Sequence, residues 1–496
     1  MKLSESAQSF LWKIILLVLP ISSFPLLSRL MGGASVAPLA AVPMLLLLLF
    51  WWIPSFFKNR FKLPYQVKPL LVFFFFGLLT TLFISFRDVP TFQSESINKS
   101  VFEVIITFGM GIAFYLVTIY SVKSKKDLRT TIFWISISGI IVMLYSWLQV
   151  VFWYLLPRYP VWLYSIQELF SSNGMLYPRR ATGLAFEPSW LAHELNMVFI
   201  PIWLAMSITG YSIFRWKLFS KIQFEKVLLA FSVLTLFITL SRIGWITFFV
   251  VAAYLAIRFS DQWIRNLSMK PSKSTSQKPR GFWFRFRVWA GLFIGMIALV
   301  LLAGFILSYI DPRMRELFNI KRLIDAGFMR WASRLVFLER VMYWIAAYRV
   351  FQMFPFFGAG FGIPGFFFQK TVPVYGSQLL DINDFLLKPF FLPNAKNFWV
   401  RILSETGIIG FALYASWIVI HWRNAVELEK RTQNNLIQTM GLAGKIIVIS
   451  MIIEGFSLDS FGLPYVWVAL GLLSATWFIS RNSDSQTIEM EQTSDL

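Results

Sequence analysis

Runs of about 20 apolar residues, each long enough to cross ~30 Å of hydrocarbon, recur from one end of the chain to the other. They fall near 10–29, 36–56, 67–86, 101–121, 131–156, 187–209, 226–240, 244–259, 288–310, 398–421, 443–457 and 462–480. In lipid every backbone polar group needs an internal partner, which leaves helices or closed barrels, and continuous apolar runs select helices. The pattern predicts an all-α fold: a polytopic transmembrane helix bundle of about 12 spans, with a large helical extracytoplasmic loop. The tightest connection is the turn Leu240-Ser241-Arg242-Ile243-Gly244. The first run, although followed by Gly32-Gly33-Ala34-Ser35, reads as a retained span rather than a signal peptide. The halves show no repeat of the kind that marks many secondary transporters.

Three polar interruptions differ in kind. Residues 260–287, rich in Ser, Lys and Arg, read as a flexible linker lying on anionic headgroups. The polar tail 481–496 reads as disordered. Residues 311–397 form the large outer loop, where Trp331, Leu335, Leu338, Met342 and Ile345 recur at helical spacing among Arg330, Arg334, Arg340 and Arg349. That is the pattern of an amphipathic helix, lying on the membrane boundary or capping the bundle. Organisation follows: N-terminal spans and first outer loop in 1–186, central spans in 187–310, the outer loop in 311–397, and C-terminal spans in 398–480. Gly360, Gly362 and Gly365 formally fit a dinucleotide fingerprint, but no strand precedes them.

Composition agrees: 57% hydrophobic and 14% charged residues exclude a soluble fold. A net charge of +21 would suggest nucleic acid in a soluble protein. Here the cations gather in alternate loops, which by the positive-inside rule puts both termini in the cytoplasm and makes the partner a membrane, not nucleic acid. The absence of cysteine excludes disulfides and thiolate chemistry.

Several ionisable groups nevertheless fall at one depth. Glu187 and Glu194 open one span, Arg242 another, and Lys396, Arg401 and Glu405 a third, while Glu454 and Asp459 flank the end of a fourth. At 1.5 Å per residue these all lie in the outer ~15 Å of the bundle. Charges there are costly and usually face an interior site. Arg401 and Glu405, at i and i+4, can also pair with each other. Arg179, Arg180, Arg242, Lys396 and Arg401 would suit a diphosphate, since guanidinium forks grip phosphate oxygens in pairs. Neighbouring carboxylates offer a general base, and Trp190, Trp399, Phe398 and Tyr177 offer faces for sugars. Trp190-Leu191-Ala192-His193-Glu194 resembles the start of a zinc-protease helix, but Met197 stands where the second histidine should be, so no metal is expected.

Four pieces then line up in order: Arg180-x-Thr182-Gly183 with Glu187-Pro188-Ser189, Ser241-Arg242 at the tight turn, Pro355-x-x-Gly358-x-Gly360-x-Gly362, and Asn397-x9-Gly407-x-x-Gly410. Together they resemble the O-antigen ligase and O-antigen polymerase superfamily of bacterial membrane proteins. The resemblance implies a glycan carried on undecaprenyl diphosphate in the inner membrane and transferred, by an inverting and metal-independent reaction without cofactor, to an acceptor hydroxyl. Arg180 and Arg242 match arginines expected to hold the diphosphate, with Arg179 and Arg401 beside them. Ligases carry a histidine where this chain has Lys396. A lysine beside a diphosphate keeps its charge, so Lys396 is expected to stabilise the leaving group, and Glu187, then Glu405, to remove the proton. Trp190, Asn397, Arg334 and Arg340 complete the expected substrate contacts. The missing histidine favours a polymerase of lipid-linked repeat units, with chain-length regulators or flippases as candidate partners. The alternatives are a ligase acting on lipid A core or protein, and, from another class, a small-anion transporter.

Overall fold

The computed structural model describes residues 4–494 except 59–62, 157, 219, 270–281, most of 311–336, 374–391 apart from Ile382, and 432–433. In chain order the helices are α1 (Glu5–Leu17), α2 (Pro25–Leu30), α3 (Ala41–Leu47), α4 (Ile53–Phe57), α5 (Lys68–Ile84), α6 (Ile97–Ser121), α7 (Lys125–Leu155) and α8 (Val161–Phe170). They continue as α9 (Pro188–Glu194), α10 (Ile200–Thr209), α11 (Phe224–Ile238), α12 (Arg242–Met269), α13 (Phe282–Ile310), α14 (Leu338–Met353) and α15 (Phe368–Thr371). The last three are α16 (Phe398–Glu429), α17 (Asn435–Glu454) and α18 (Pro464–Ser494). A two-residue hairpin, Lys217–Leu218 against Ile222–Gln223, is the sheet found among the described residues.

Seven helices among the described residues are long and apolar enough to cross a membrane: Tyr65–Ile84, Ile97–Ser121, Lys125–Leu155, Pro188–Thr209, Arg242–Ser260, Phe398–Glu429 and Asn435–Glu454. The protein is therefore a multi-pass helical membrane protein. Expected spans that fall short do so for local reasons. The run 10–29 is split into α1 and α2 around Pro20 and Pro25, where proline removes a helical donor. The run 36–56 becomes the shorter Ala41–Phe57, and α11 has 15 residues. By length alone α13, with 29 residues, and α18, with 31, also reach across ~30 Å.

Two polar segments are more helical than their composition suggests. Helix α12 runs on to Met269 and α13 starts at Phe282. Of the expected linker 260–287, residues 260–269 and 282–287 are thus helical, and its Lys/Pro/Ser centre lies outside the described residues. Helix α18 continues to Ser494, through the stretch expected to be disordered. In the outer loop, Leu338 and Met342 of the expected amphipathic helix are buried on α14, followed at helical spacing by Ala346 and Val350. Arg330, Arg334 and Leu335 lie outside the described residues.

The chain forms two compact units, 1–244 with 343–496, and 245–342. The smaller holds most of α12, with Trp245, Val251 and Leu255 buried, and α13. In the larger, α16 packs on α17 and α5, α18 on α6, and α10 on α17 and α11. Helix starts are fixed by side chains: Ser124 and Asp127 form a capping box on α7, and Asn434 accepts from Ile437 N at 3.2 Å on α17. The core between α5, α6, α16 and α18 is aromatic, with Phe73, Phe108, Phe361, Tyr414 and Phe461 meeting edge to face or tilted.

Phe361 reaches this core because two glycine motifs interlock. Helix α16 breaks at Gly407, whose φ of 65° and ψ of −168° are not helical. The turn Pro355–Gly362 lies in the gap: Ala359 N and Gly360 N donate to Ser404 O and Glu405 O, both at 2.8 Å, and Ile408 N donates to Pro355 O at 2.9 Å. A Cβ on Gly358 would stand 2.4 Å from Glu405 C, and one on Gly407 2.3 Å from Phe356 O. On the other side, Gly77 admits the Phe361 ring, and Thr81 Oγ1 accepts from Phe361 N at 2.9 Å. Gly358→Ala combines a left-handed φ of 77° with a backbone clash, so it is expected to cost roughly 2–5 kcal/mol. A clear fall in the thermal unfolding midpoint of the detergent-solubilised protein is the measurement that checks this.

Candidate functional site

At one end of the larger unit, five helix ends are stitched together by named hydrogen bonds. Glu454, the last residue of α17, is fully buried and uses both oxygens. His193 Nδ1 lies 2.5 Å from its Oε2, and Asn196 Nδ2 donates to its Oε1 at 2.6 Å. The same Asn196 amide donates to Gly244 O at 2.9 Å, in the first turn of α12. The next residue, Gly455, accepts from Phe398 N at 2.8 Å, the first residue of α16. Arg180 Nε donates to Thr239 O at 3.0 Å and Ala181 N to Ile238 O at 2.9 Å, tying the loop before α9 to the end of α11.

Local sequence explains why each element stops here. Pro188 sits in the first turn of α9, where its missing N–H costs nothing. Asn397 caps α16 by accepting from Trp399 N at 2.9 Å and Val400 N at 3.2 Å. Leu240, with φ of 51°, makes the turn from α11 to α12. The starts of α12 and α16 are thereby tied to the end of α17, and the partial positive charge at each start favours an anion.

The side chains expected from sequence divide into two groups. Arg180, Glu187, Arg242 and Lys396 stand within three residues of the stitching bonds or on the helix starts they fix, and all four are half-buried. Arg180 also lies 5.8 Å from the Tyr177 ring. Beneath it, burial pushes the Tyr159 phenol up to about 12, so it stays protonated and donates to Tyr177 O at 3.0 Å. Lys396 adopts φ of 46° and holds its Nζ 4.4 Å from the centre of the Tyr343 ring. Glu187 Oε1 accepts from Ser189 Oγ, Arg179 is exposed, and Trp190 packs 5.2 Å from Phe186.

The second group serves the framework. Arg401 Nε donates to Glu405 Oε1 at 3.0 Å, its Nη1 donates to Asp459 O, and its guanidinium lies 5.1 Å from the Phe461 ring. Glu405 Oε1 also accepts from Gly362 N at 3.2 Å, so this pair braces the interlocked glycine turn. Asn397 is a helix cap. Arg340 belongs to the smaller unit and Arg334 lies outside the described residues.

Sequence reading singled out His193 only as a possible metal ligand, and it passed over Asn196 and Tyr465. The usable signal was three polar residues within four positions of an apolar run, with Glu454 closing another. What hid them is that residues 191–203 are buried on every face of the helix, across the π-turn at Leu195–Phe199, so no polar stripe marks them. The second histidine is a satisfied core residue: His421 Nδ1 donates to Trp417 O at 2.8 Å, and its Nε2 lies 3.1 Å from Tyr115 Oη.

Residues 227–415 match the family model described as O-Antigen ligase. That match bears out the resemblance to the O-antigen ligase and O-antigen polymerase superfamily. The matched segment includes Arg242, the interlocked glycine motifs and Lys396, whereas Arg180 and Glu187 precede it. No curated protein matches the chain.

Because Arg401 and Glu405 are a nearly buried pair, with side chains 13% and 3% exposed, removing one partner strands the other. Arg401→Ala is expected to destabilise by about 3–5 kcal/mol, and Arg401→Met with Glu405→Gln to recover most of the loss. Thermal unfolding of the two variants beside wild type checks this.

Proposed function

We propose that the protein is a membrane glycosyltransferase that polymerises oligosaccharide repeat units carried on undecaprenyl diphosphate, on the extracytoplasmic side of the inner membrane. What supports this reading is that Arg180, Arg242 and Lys396 each stand on, or within three residues of, the hydrogen bonds that tie these helix ends together. Multi-pass helices and the O-antigen ligase match support the coarser statement, an O-antigen ligase- or polymerase-like membrane enzyme.

In this mechanism the acceptor hydroxyl oxygen attacks the anomeric carbon of the donor sugar from the face opposite the diphosphate. The bond from that carbon to the phosphate oxygen breaks, and its electron pair leaves with undecaprenyl diphosphate. Arg180, Arg242 and Lys396 neutralise the charge that grows on the departing group, usually the largest electrostatic contribution in such a transfer. Glu187, at the start of α9, accepts the hydroxyl proton. Glu405 is less suited to that step, because Arg401 and Gly362 N already occupy one of its oxygens. Ring-face packing of the Lys396 ammonium on Tyr343 suits a fixed cation at the leaving group rather than a base.

Arg180→Ala and Arg242→Ala are each expected to abolish chain extension in cells at unchanged protein level, and single lipid-linked repeats should accumulate. Normal-length polysaccharide would count against the reading, and accumulation of long lipid-linked chains would make the protein a ligase. Lys396→His is expected to lower transfer by about tenfold or less if charge stabilisation is its role. Transfer by membranes containing each variant, followed by chromatography of the lipid-linked products, measures both.

A further inference from the structure

The buried polar cluster behind the proposed diphosphate site has no part in the mechanism above. His193, Glu194, Asn196 and Glu454 are each at most 2% exposed. Taking such groups out of water is expensive, and packed apolar residues would often hold the helices together as well. Yet the cluster is specific in form. One carboxylate on α17 holds an imidazole and an amide from the α9 segment, and that amide holds the first turn of α12. Gly244 is pressed so closely on α9 that a Cβ there would stand 2.8 Å from Ala192 Cβ. Arg242 lies two residues before the carbonyl that Asn196 grips. Glu187 opens α9, which carries His193 and leads into the π-turn that carries Asn196. One Glu194 oxygen and the Tyr465 hydroxyl are buried beside these bonds with no hydrogen-bond partner, so a change in the network has polar groups waiting to receive it.

We propose that Glu454, acting through His193 and Asn196, is a positioning residue that fixes the start of α12 against the start of α9 and thereby sets where Arg242 stands for the diphosphate. Resting as it does on the reading of Arg242 given above, the inference adds a route by which residues that never touch the donor decide how tightly it is held. Asn196 is the coupling element, because a single NH₂ group bridges α17 and α12. His193 fills the other Glu454 oxygen and keeps the carboxylate turned toward Asn196.

The test is a double-mutant cycle on the full-length protein in lipid nanodiscs, with undecaprenyl diphosphate as the probe and its dissociation constant as the readout. Asn196→Ala and Glu454→Gln are each expected to weaken binding about tenfold, and to add almost nothing in an Arg242→Ala background. A residue that merely supported the fold would lower the unfolding midpoint and leave the probe's affinity unchanged, or its loss would add fully to that of Arg242→Ala. Either result overturns the positioning role. If Arg242→Ala alone binds the probe as wild type does, the assignment of Arg242 to the diphosphate is what fails. Glu454→Gln, which keeps the shape but puts an amide NH₂ in place of one of the two oxygens that His193 and Asn196 occupy, carries the cycle should Asn196→Ala not fold.

Discussion

A carboxylate enclosed among helices has to find partners for both oxygens, and Glu454 finds them in His193 of α9 and in Asn196 of the π-turn that follows, whose amide also donates to Gly244 O in α12. Because water is excluded at that depth, each hydrogen bond there is worth more than at a surface, and each unmade one costs more. The geometry of the helix starts follows from this requirement. With Gly455, just past α17, also accepting from Phe398 N, the His193–Asn196 segment and the starts of α12 and α16 are all tied to the end of α17. Arg242 and Lys396 each lie two residues before a backbone group that these bonds hold.

The second constraint is steric. The two glycine motifs that carry part of the family resemblance are one object in space: a turn laid into the break of a helix, with backbone touching backbone at Gly358 and Gly407. Main-chain contact at that distance leaves no room for a Cβ, which gives a physical reason for those glycines without reference to any ligand. Arg401 and Glu405 brace the same turn. Of the charges around the start of α16, Arg401 and Glu405 thus go to the framework, while Lys396, just before the helix, packs on the Tyr343 ring.

How far was the candidate site legible beforehand? Arg180, Arg242 and Lys396 could be named because charge at the end of an apolar run is conspicuous, and because short motifs around them resemble a known family. Asn196 could not, since an uncharged amide in a span carries no such signal and the stretch around it, 191–203, is buried on every face. Arg401 was assigned to phosphate, yet its i, i+4 partner and the Asp459 carbonyl claim it. Sequence spacing made that pairing available and could not choose between the two uses. The split of the first expected span around Pro20 and Pro25 was also within reach, as proline is a local signal.

Sequence alone determined that the chain lies in a membrane as helices, where most of the long helices begin, and which end of each carries charge. These are one-dimensional properties, set by the length of apolar runs, by capping residues and by the cost of a charge in hydrocarbon. Only the tertiary structure decided which charges face one another, which glycines touch, and which polar residues are spent on holding helices together. Those outcomes depend on pairs of residues far apart in the chain, and no local pattern encodes the partner.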